Sequence, residues 1–407
     1  MKSRLEELAI FGRPPAFVEP LHVGGPNLGD RERLLERLQG MLDRRRLSND
    51  GPLVREFESR VAELLGVDYF LATCNGTAAL ELLVRATGLS GEVIVPSYTF
   101  IATAHALDWL GVKPVFCDID PATHHLDPSE VERLITPRTS AVLGVHLWGR
   151  PCDAGALEAV TRRHGLKLLF DAAHAFGCSR GGRMIGNFGL AEVFSFHATK
   201  IVNAFEGGAI ATNDRQLAER LRLMRNFGFA GYDRVVERGI NGKMNEASAA
   251  MALTSLESMD EFVAANRRNY EEYRLQLGTL PAFRLLSYDE GEKCNYQYVV
   301  VEVGDGLALT RDELVSLLWS ENILARRYFY PGCHRAVPYR DHEVGRRLPS
   351  TEKVADRVLL LPTGTSVDPH DIAGVVAILK LAVDNPQRVA QQLQQTGPCA
   401  GAMPTVE

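Results

Sequence analysis

Short apolar runs alternate with stretches of helical period along most of the chain. The runs Tyr69–Thr73, Glu92–Pro96, Pro114–Asp118, Ala141–His146, Leu168–Asp171, Val193–Phe196 and Gly208–Ala211 are each a few residues long and bounded by turn-forming residues. Runs of that length, rich in β-branched and aromatic side chains, predict buried strands. Strands alternating with helices predict a mainly parallel sheet covered on both faces. Ahead of them, Arg31–Arg46 carries Leu34, Leu35, Leu38, Met41 and Leu42 at helical spacing and stops at a Ser48-Asn-Asp-Gly-Pro52 turn signal; Phe57–Leu65 reads as a second helix. A long helix is predicted over Met244–Leu277, leading to strands at Tyr296–Glu302 and near Ile323–Arg326. Further helices are predicted at Arg311–Ser320, Thr351–Val358 and Asp368–Ala382, the last with Asp368 as cap and Pro369 at its first position.

This pattern divides the chain into a Pro- and Gly-rich N-terminal segment (1–30) that wraps over another part of the fold, a large domain (31–262) and a small C-terminal domain (263–384). A Gln-rich, then Gly/Pro/Ala-rich tail (385–407) is expected to be disordered, since it has little to bury. A length of 407 residues agrees with two cores. A net charge of −6 removes the basic excess that nucleic-acid binding needs. No apolar run approaches a membrane span, and the first residues lack the apolar core of a signal peptide. Seven scattered cysteines with no C-x-x-C pair read as free thiols in a reducing cytoplasm, without a metal site.

In sheets of this kind ligands sit beyond the carboxyl ends of the strands, and Thr77, Phe100, Asp171 and Lys200 all fall there. The stretch Ala191–Ile210 delivers Ser195, His197, Thr199 and Lys200 together and then Glu206-Gly207-Gly208. A lysine flanked by hydroxyls and followed by a glycine pair suits a covalently bound, phosphorylated aldehyde cofactor: the amine makes an imine, a hydroxyl takes a phosphate oxygen, and glycine lets the backbone approach. The bland alternative is a solvated surface lysine. Asp171 reads as the carboxylate for a protonated pyridine nitrogen or as a helix cap. Asn75-Gly76-Thr77 opens a helix straight after a strand, either as a phosphate-binding turn shared with Ser195 or as a plain cap. Phe100 could stack on a pyridine face or fill core, His174 could meet a ring hydroxyl, and His197 reads as structural. There is no G-x-x-x-x-G-K; Gly304-Asp-Gly306 lacks its third glycine, Leu309 standing there.

The ordered set Asn75-Gly-Thr-Ala-Ala-Leu80, Glu92–Phe100, Val145-His-Leu-Trp-Gly149, Asp171-Ala-Ala-His174, Phe194–Lys200 and Glu206-Gly-Gly208 resembles the DegT/DnrJ/EryC1/StrS nucleotide-sugar aminotransferases over about residues 20–382. The resemblance implies the aspartate-aminotransferase fold (fold type I) of pyridoxal-phosphate enzymes. It implies pyridoxal 5′-phosphate as cofactor, pyridoxamine phosphate between half-reactions, and glutamate as donor. Lys200 would be the Schiff-base lysine and proton shuttle, Asp171 would hold the pyridine nitrogen and His174 the ring oxygen. Phe100 would stack on the ring, and Gly76, Thr77 and Ser195 would take the phosphate. Gly239-Ile-Asn241-Gly-Lys243-Met looks like the family's loop to a partner's cofactor phosphate, implying a homodimer with shared sites, although an Arg usually stands where Lys243 does. Lys200–Gly208, Arg326–His334 and Leu361–Thr365 look nearest to the 4-aminotransferases of antibiotic deoxysugar pathways (the desosamine type), which act on dTDP-4-keto-6-deoxyglucose. Arg326 or Arg327 would then meet the diphosphate, with Tyr328 and His334 near the sugar. A 3-aminotransferase on a 3-keto sugar keeps every motif, and a non-catalytic cofactor-binding regulator is the remote alternative.

Overall fold

The computed structural model describes residues 1–341 and 347–396. Seven strands form the central sheet: β1 (Tyr69–Thr73), β2 (Glu92–Pro96), β3 (Lys113–Cys117), β4 (Thr139–Val145), β5 (Lys167–Asp171), β6 (Ala191–Ser195) and β7 (Gly208–Thr212). Their spatial order is β1-β7-β6-β5-β4-β2-β3, with β7 antiparallel to both neighbours and the remaining pairs parallel. The strands are apolar on both faces because helices cover both; Val93, Ile94 and Val95 are all fully buried. In register, Asp171 stands beside Val193, and Gly208 stands between Thr73 and Ser195. Those pairings bring the ends of β5, β6 and β1 to one edge.

Two helix boundaries differ from expectation for visible reasons. The helix expected from Phe57 begins at Pro52, because the buried Glu246 carboxylate accepts from the backbone N–H groups of Leu53 (3.0 Å) and Val54 (2.9 Å). That cap comes from far along the chain and leaves no local signal. The expected Met244–Leu277 helix is two, Glu246–Glu257 and Met259–Leu277, broken at Ser258. Gly29 of the N-terminal segment packs into the break, where an added Cβ would lie 2.9 Å from both Ser258 Oγ and Thr254 O.

The second core is built on an antiparallel sheet of Val299–Val303 between Phe283–Leu285 and Val358–Leu361. The last of these strands takes Val358, expected to end a helix; that helix is Pro349–Arg357. The N-terminal segment does wrap: Leu5, Leu8 and Ile10 are buried in this second core, and Leu21–His22 pairs in parallel with Ile323–Leu324. The tail expectation needs correcting. Pro386–Thr396 is a helix, with Val389 and Leu393 one turn apart and buried in the same core, an apolar pair hidden among glutamines. The rest of the expected tail, 397–407, lies outside the described residues. No helix among the described residues is long and apolar enough to cross a membrane.

Glu321 is fully buried and holds the wrap, accepting from Ala9 N–H (2.6 Å) and Ala16 N–H (2.7 Å) and pairing with Lys2 (2.6 Å). Glu321→Ala would leave buried donors and an ammonium without their acceptor. A loss of about 3 kcal/mol is expected in urea unfolding, with a smaller loss for Lys2→Ala.

Candidate active site

The floor is the end of β5 and the turn after β6. Asp171 is buried, and its carboxylate accepts from the Thr103 hydroxyl (2.8 Å) and from Ala173 N–H (3.0 Å). Burial raises its pKa against these bonds and the nearby Lys200 charge, which lower it. Burial lowers the Lys200 amine to about 8, with the Asp171 carboxylate opposing. The amine donates to the Tyr298 hydroxyl at 3.3 Å. Its turn is clamped from far along the chain, because Gln297 accepts from Ile201 N–H (3.0 Å) and donates to Thr199 O (3.2 Å). His197 bonds Thr199 Oγ1 at 2.9 Å within the same turn.

Beside the floor is an anion-sized cradle. Asn75 caps the Gly76–Ala86 helix through Ala78 N–H (2.8 Å), so Gly76 and Thr77 form its first turn. Gly76 faces Ser195: an added Cβ would stand 3.2 Å from the Ser195 Cβ. At Gly208 a Cβ would lie 2.4 Å from the Asn75 carbonyl carbon. Thr77 is exposed and Ser195 half-buried. Residues 75–77, 195 and 208 thus meet as the motifs imply.

Aromatic rings wall the space above. His174 is buried, 4.5 Å from Tyr298, 5.8 Å from Trp148 and 6.1 Å from Phe329 between ring centroids. Burial holds it neutral at ordinary pH. Its Nδ1 accepts from Trp148 N–H (3.4 Å), which leaves Nε2–H as the donor for a ligand oxygen. Phe100 is 57% exposed and edge-on to Phe329 at 6.4 Å.

The other expected residues divide. Arg326 is half-buried and its backbone pairs with Leu360, while Arg327 is held by Asp312 (3.2 Å) and lies over Tyr330. Tyr328 stacks on Phe329 at 5.0 Å, and its carbonyl accepts from the Tyr98 hydroxyl. His334 is turned away: it is buried, with Nδ1 at 2.6 Å from Ser97 Oγ and Nε2 at 3.5 Å from Glu352, and it pins the 333–335 turn to the end of β2. Asn241 and Lys243 lie on the outer edge of β1, where Lys243 pairs with Thr73, donates to Asn241 Oδ1 (2.7 Å) and sits 4.7 Å over Phe227.

A half-buried lysine amine with a lowered pKa, a hydrogen-bonded carboxylate and an N–H-rich turn are parts that a carbonyl cofactor would use. The sequence model of the DegT/DnrJ/EryC1/StrS aminotransferase family matches residues 29–380. The chain belongs to this family. The dTDP-4-amino-4,6-dideoxy-D-glucose transaminase of Shigella dysenteriae is 36% identical over 362 residues, 89% of this chain and 99% of that protein. The GDP-perosamine synthase of Caulobacter vibrioides is 37% identical over 371 residues, covering 88% and 97%. The structure of DesI solved in the presence of its TDP-sugar product matches with a TM-score of 0.92 at 52% identity, covering 96% of this chain and all of that one. This chain is therefore a sugar aminotransferase of the pyridoxal-phosphate-dependent kind.

Sequence reading missed four contributors to the aminotransferase site: Thr103 on Asp171, Tyr298 on Lys200, Gln297 on the lysine turn, and Phe329 in the wall. Thr103 had a local signal, a hydroxyl one turn past Phe100. Phe329 lies in the Arg326–His334 stretch already singled out, while Tyr298 and Gln297 come from far along the chain and had no signal.

Gly208→Ala must push the 75–76 turn aside. A cost of about 2 kcal/mol in stability is expected from overpacking, together with at least about tenfold weaker inorganic phosphate binding as the first-turn N–H groups are misaligned. Phosphate-dependent thermal shifts would read both, and an unchanged phosphate dependence would separate this turn from anion binding.

Proposed function

We propose that this aminotransferase binds pyridoxal 5′-phosphate at Lys200 and transfers an amino group from glutamate to C4 of dTDP-4-keto-6-deoxyglucose. The product is dTDP-4-amino-4,6-dideoxyglucose. The observation that carries this is the half-buried Lys200 amine, its pKa lowered, near the Asp171 carboxylate and the Gly76–Ser195 turn, in a fold so close to that of DesI, which was solved with its TDP-sugar product. The named activity of the Shigella relative points to the same carbon and base.

The residues present fit the cofactor. Gly76, Thr77 and Ser195 would hold its phosphate, Asp171 its pyridine nitrogen, His174 its ring oxygen, and Phe100 one ring face. When bound, it supplies an electron sink for negative charge at the substrate carbon. Burial raises the pKa of Asp171, and Thr103, Ala173 and Lys200 oppose it by favouring the carboxylate, which would hold positive charge opposite it. With a pKa near 8, Lys200 can both take a proton from the carbon of glutamate and return one to the sugar carbon. Trp148, Phe329 and Tyr298 keep water from the amine. Arg326 is our candidate for the sugar diphosphate and Tyr328 for the sugar; the position of His334 argues against a direct sugar contact.

We also infer a homodimer. Phe227, Phe229, Tyr232, Val235, Val236 and Ile240 are exposed on one segment next to Asn241 and Lys243, and a second copy of the chain is our choice of cover for them. With it, Asn241 and Lys243 would reach the partner's cofactor phosphate. We place the enzyme in the cytoplasm, in deoxysugar synthesis of the antibiotic type.

An absorbance titration tests the reading. The cofactor-loaded protein should show a near-visible band that bleaches with glutamate and returns with dTDP-4-keto-6-deoxyglucose; return with only a 3-keto sugar would move the reaction to C3. Lys200→Ala should lose turnover by about 10⁴-fold or more, and retained turnover would sink the reading. Because the free amine is the nucleophile, coupling of pyridoxal phosphate to the apoprotein should rise with pH and level off above about 8. In Asp171→Asn the opposing charge is gone, so that midpoint should fall.

A further inference from the structure

Tyr298 enters the site from the second core, immediately before the Val299–Val303 strand. Its backbone is fixed by Tyr288, whose hydroxyl accepts from Tyr298 N–H (3.3 Å) and lies 2.8 Å from Tyr298 O. The same hydroxyl lies 3.0 Å from Trp148 O, so the strand and the site wall are tied at one point. The Tyr298 ring is buried, edge-on to Trp148 at 5.5 Å and tilted against His174 at 4.5 Å. A ring held on both sides leaves its hydroxyl little choice of position. That position is 3.3 Å from Lys200 Nζ, the one side-chain hydrogen bond the amine makes among the described residues.

We propose that Tyr298 is a positioning residue of this aminotransferase, whose hydroxyl holds the Lys200 amine on one side of the floor while the amine takes up and gives back its proton. This rests on the reading of Lys200 as the proton carrier. In the transfer, the amine lone pair forms an N–H bond as the substrate C–H bond breaks, and the C–H electrons pass to the cofactor ring. Tyr298 loses nothing in the step. Burial keeps its phenol protonated, so it donates to the neutral amine and accepts from the ammonium. One fixed group thus aims the lysine in both of its states, where a charged partner would favour only one.

Tyr298→Phe keeps the ring and its neighbours and removes only the hydroxyl. We expect kcat to fall about ten- to hundredfold, the size of one hydrogen bond to a charged group, with KM for glutamate and for the sugar within about twofold. A second readout needs no turnover. In the apoprotein, labelling of Lys200 by trinitrobenzenesulfonate, followed by peptide mass spectrometry against pH, should have its midpoint near 8 in the natural protein and lower in the variant. The variant loses both bonds, but the one to the ammonium is charge-assisted and the stronger, so the charged form is the less favoured. A kcat within about twofold of the natural protein, a parallel rise in KM, or an unmoved labelling midpoint would each overturn the proposal. None of these would touch the assignment of Lys200, which stands or falls with Lys200→Ala.

Discussion

A lysine and an aspartate share one buried floor, and neither is at ease there. Burial pushes the Lys200 amine toward its neutral form and the Asp171 carboxyl toward its protonated form, while each charge steadies the other. The balance is useful because it is incomplete: an amine near pH 8 can hold a proton or release it, whereas an ordinary surface lysine cannot do both. Most of the architecture around the floor preserves that balance. The pairing of Asp171 with Val193 sets β5 against β6, so that the turn after Ser195 brings Lys200 back over the carboxylate. Thr103 and Ala173 donate to the carboxylate and keep it from neutralising.

The floor belongs to the central sheet, but the lysine is also set from later in the chain. Gln297 grips the backbone on each side of Lys200, Tyr298 meets its amine, and the N-terminal segment adds a third hold. Asn203 Nδ2, just past the lysine turn, donates to Asn27 O at 2.7 Å, and Asn27 Oδ1 accepts from Thr365 Oγ1 at 3.0 Å. The same 30 residues that wrap the second core therefore end as a tie between that core and the catalytic turn. This gives physical content to a Pro- and Gly-rich segment with little secondary structure of its own.

The large-domain half of the site was legible in the sequence because its chemistry is local. Asn75–Thr77, Asp171–His174 and Ser195–Lys200 each follow a short apolar run, and parallel strands bring such turns to one edge. What comes from the second core was not legible. Tyr298 is one aromatic among several around Val299, and nothing near it in sequence reveals that it faces a lysine 98 residues earlier. His334 shows the opposite error: it is close in sequence to Tyr328, but the turn at 333–335 carries it to Ser97 and Glu352. Composition misled at the tail for a related reason. Six glutamine and asparagine side chains or none, a helix needs only one apolar stripe, and Val389 with Leu393 supply it.

The Val145-His-Leu-Trp-Gly149 motif had no assigned task in the sequence, and the fold supplies one. The His146 N–H donates to the Asp171 carbonyl (2.9 Å), joining the motif to the floor. Its ring stacks on Phe170 at 4.6 Å, takes Cys152 N–H on Nδ1 (3.1 Å) and meets Glu192 with Nε2 (3.1 Å). Glu192 is fully buried and is satisfied in turn by the N–H groups of Gly186 and Phe188. These bonds close the loop from 146 to 152. At its apex Trp148 adopts a left-handed backbone (φ 65°), which few residues other than glycine take up. The loop thus holds Trp148 against His174, Tyr298 and Phe329. A polar network behind the wall therefore decides where the aromatic wall stands, and with it where Tyr298 meets the lysine.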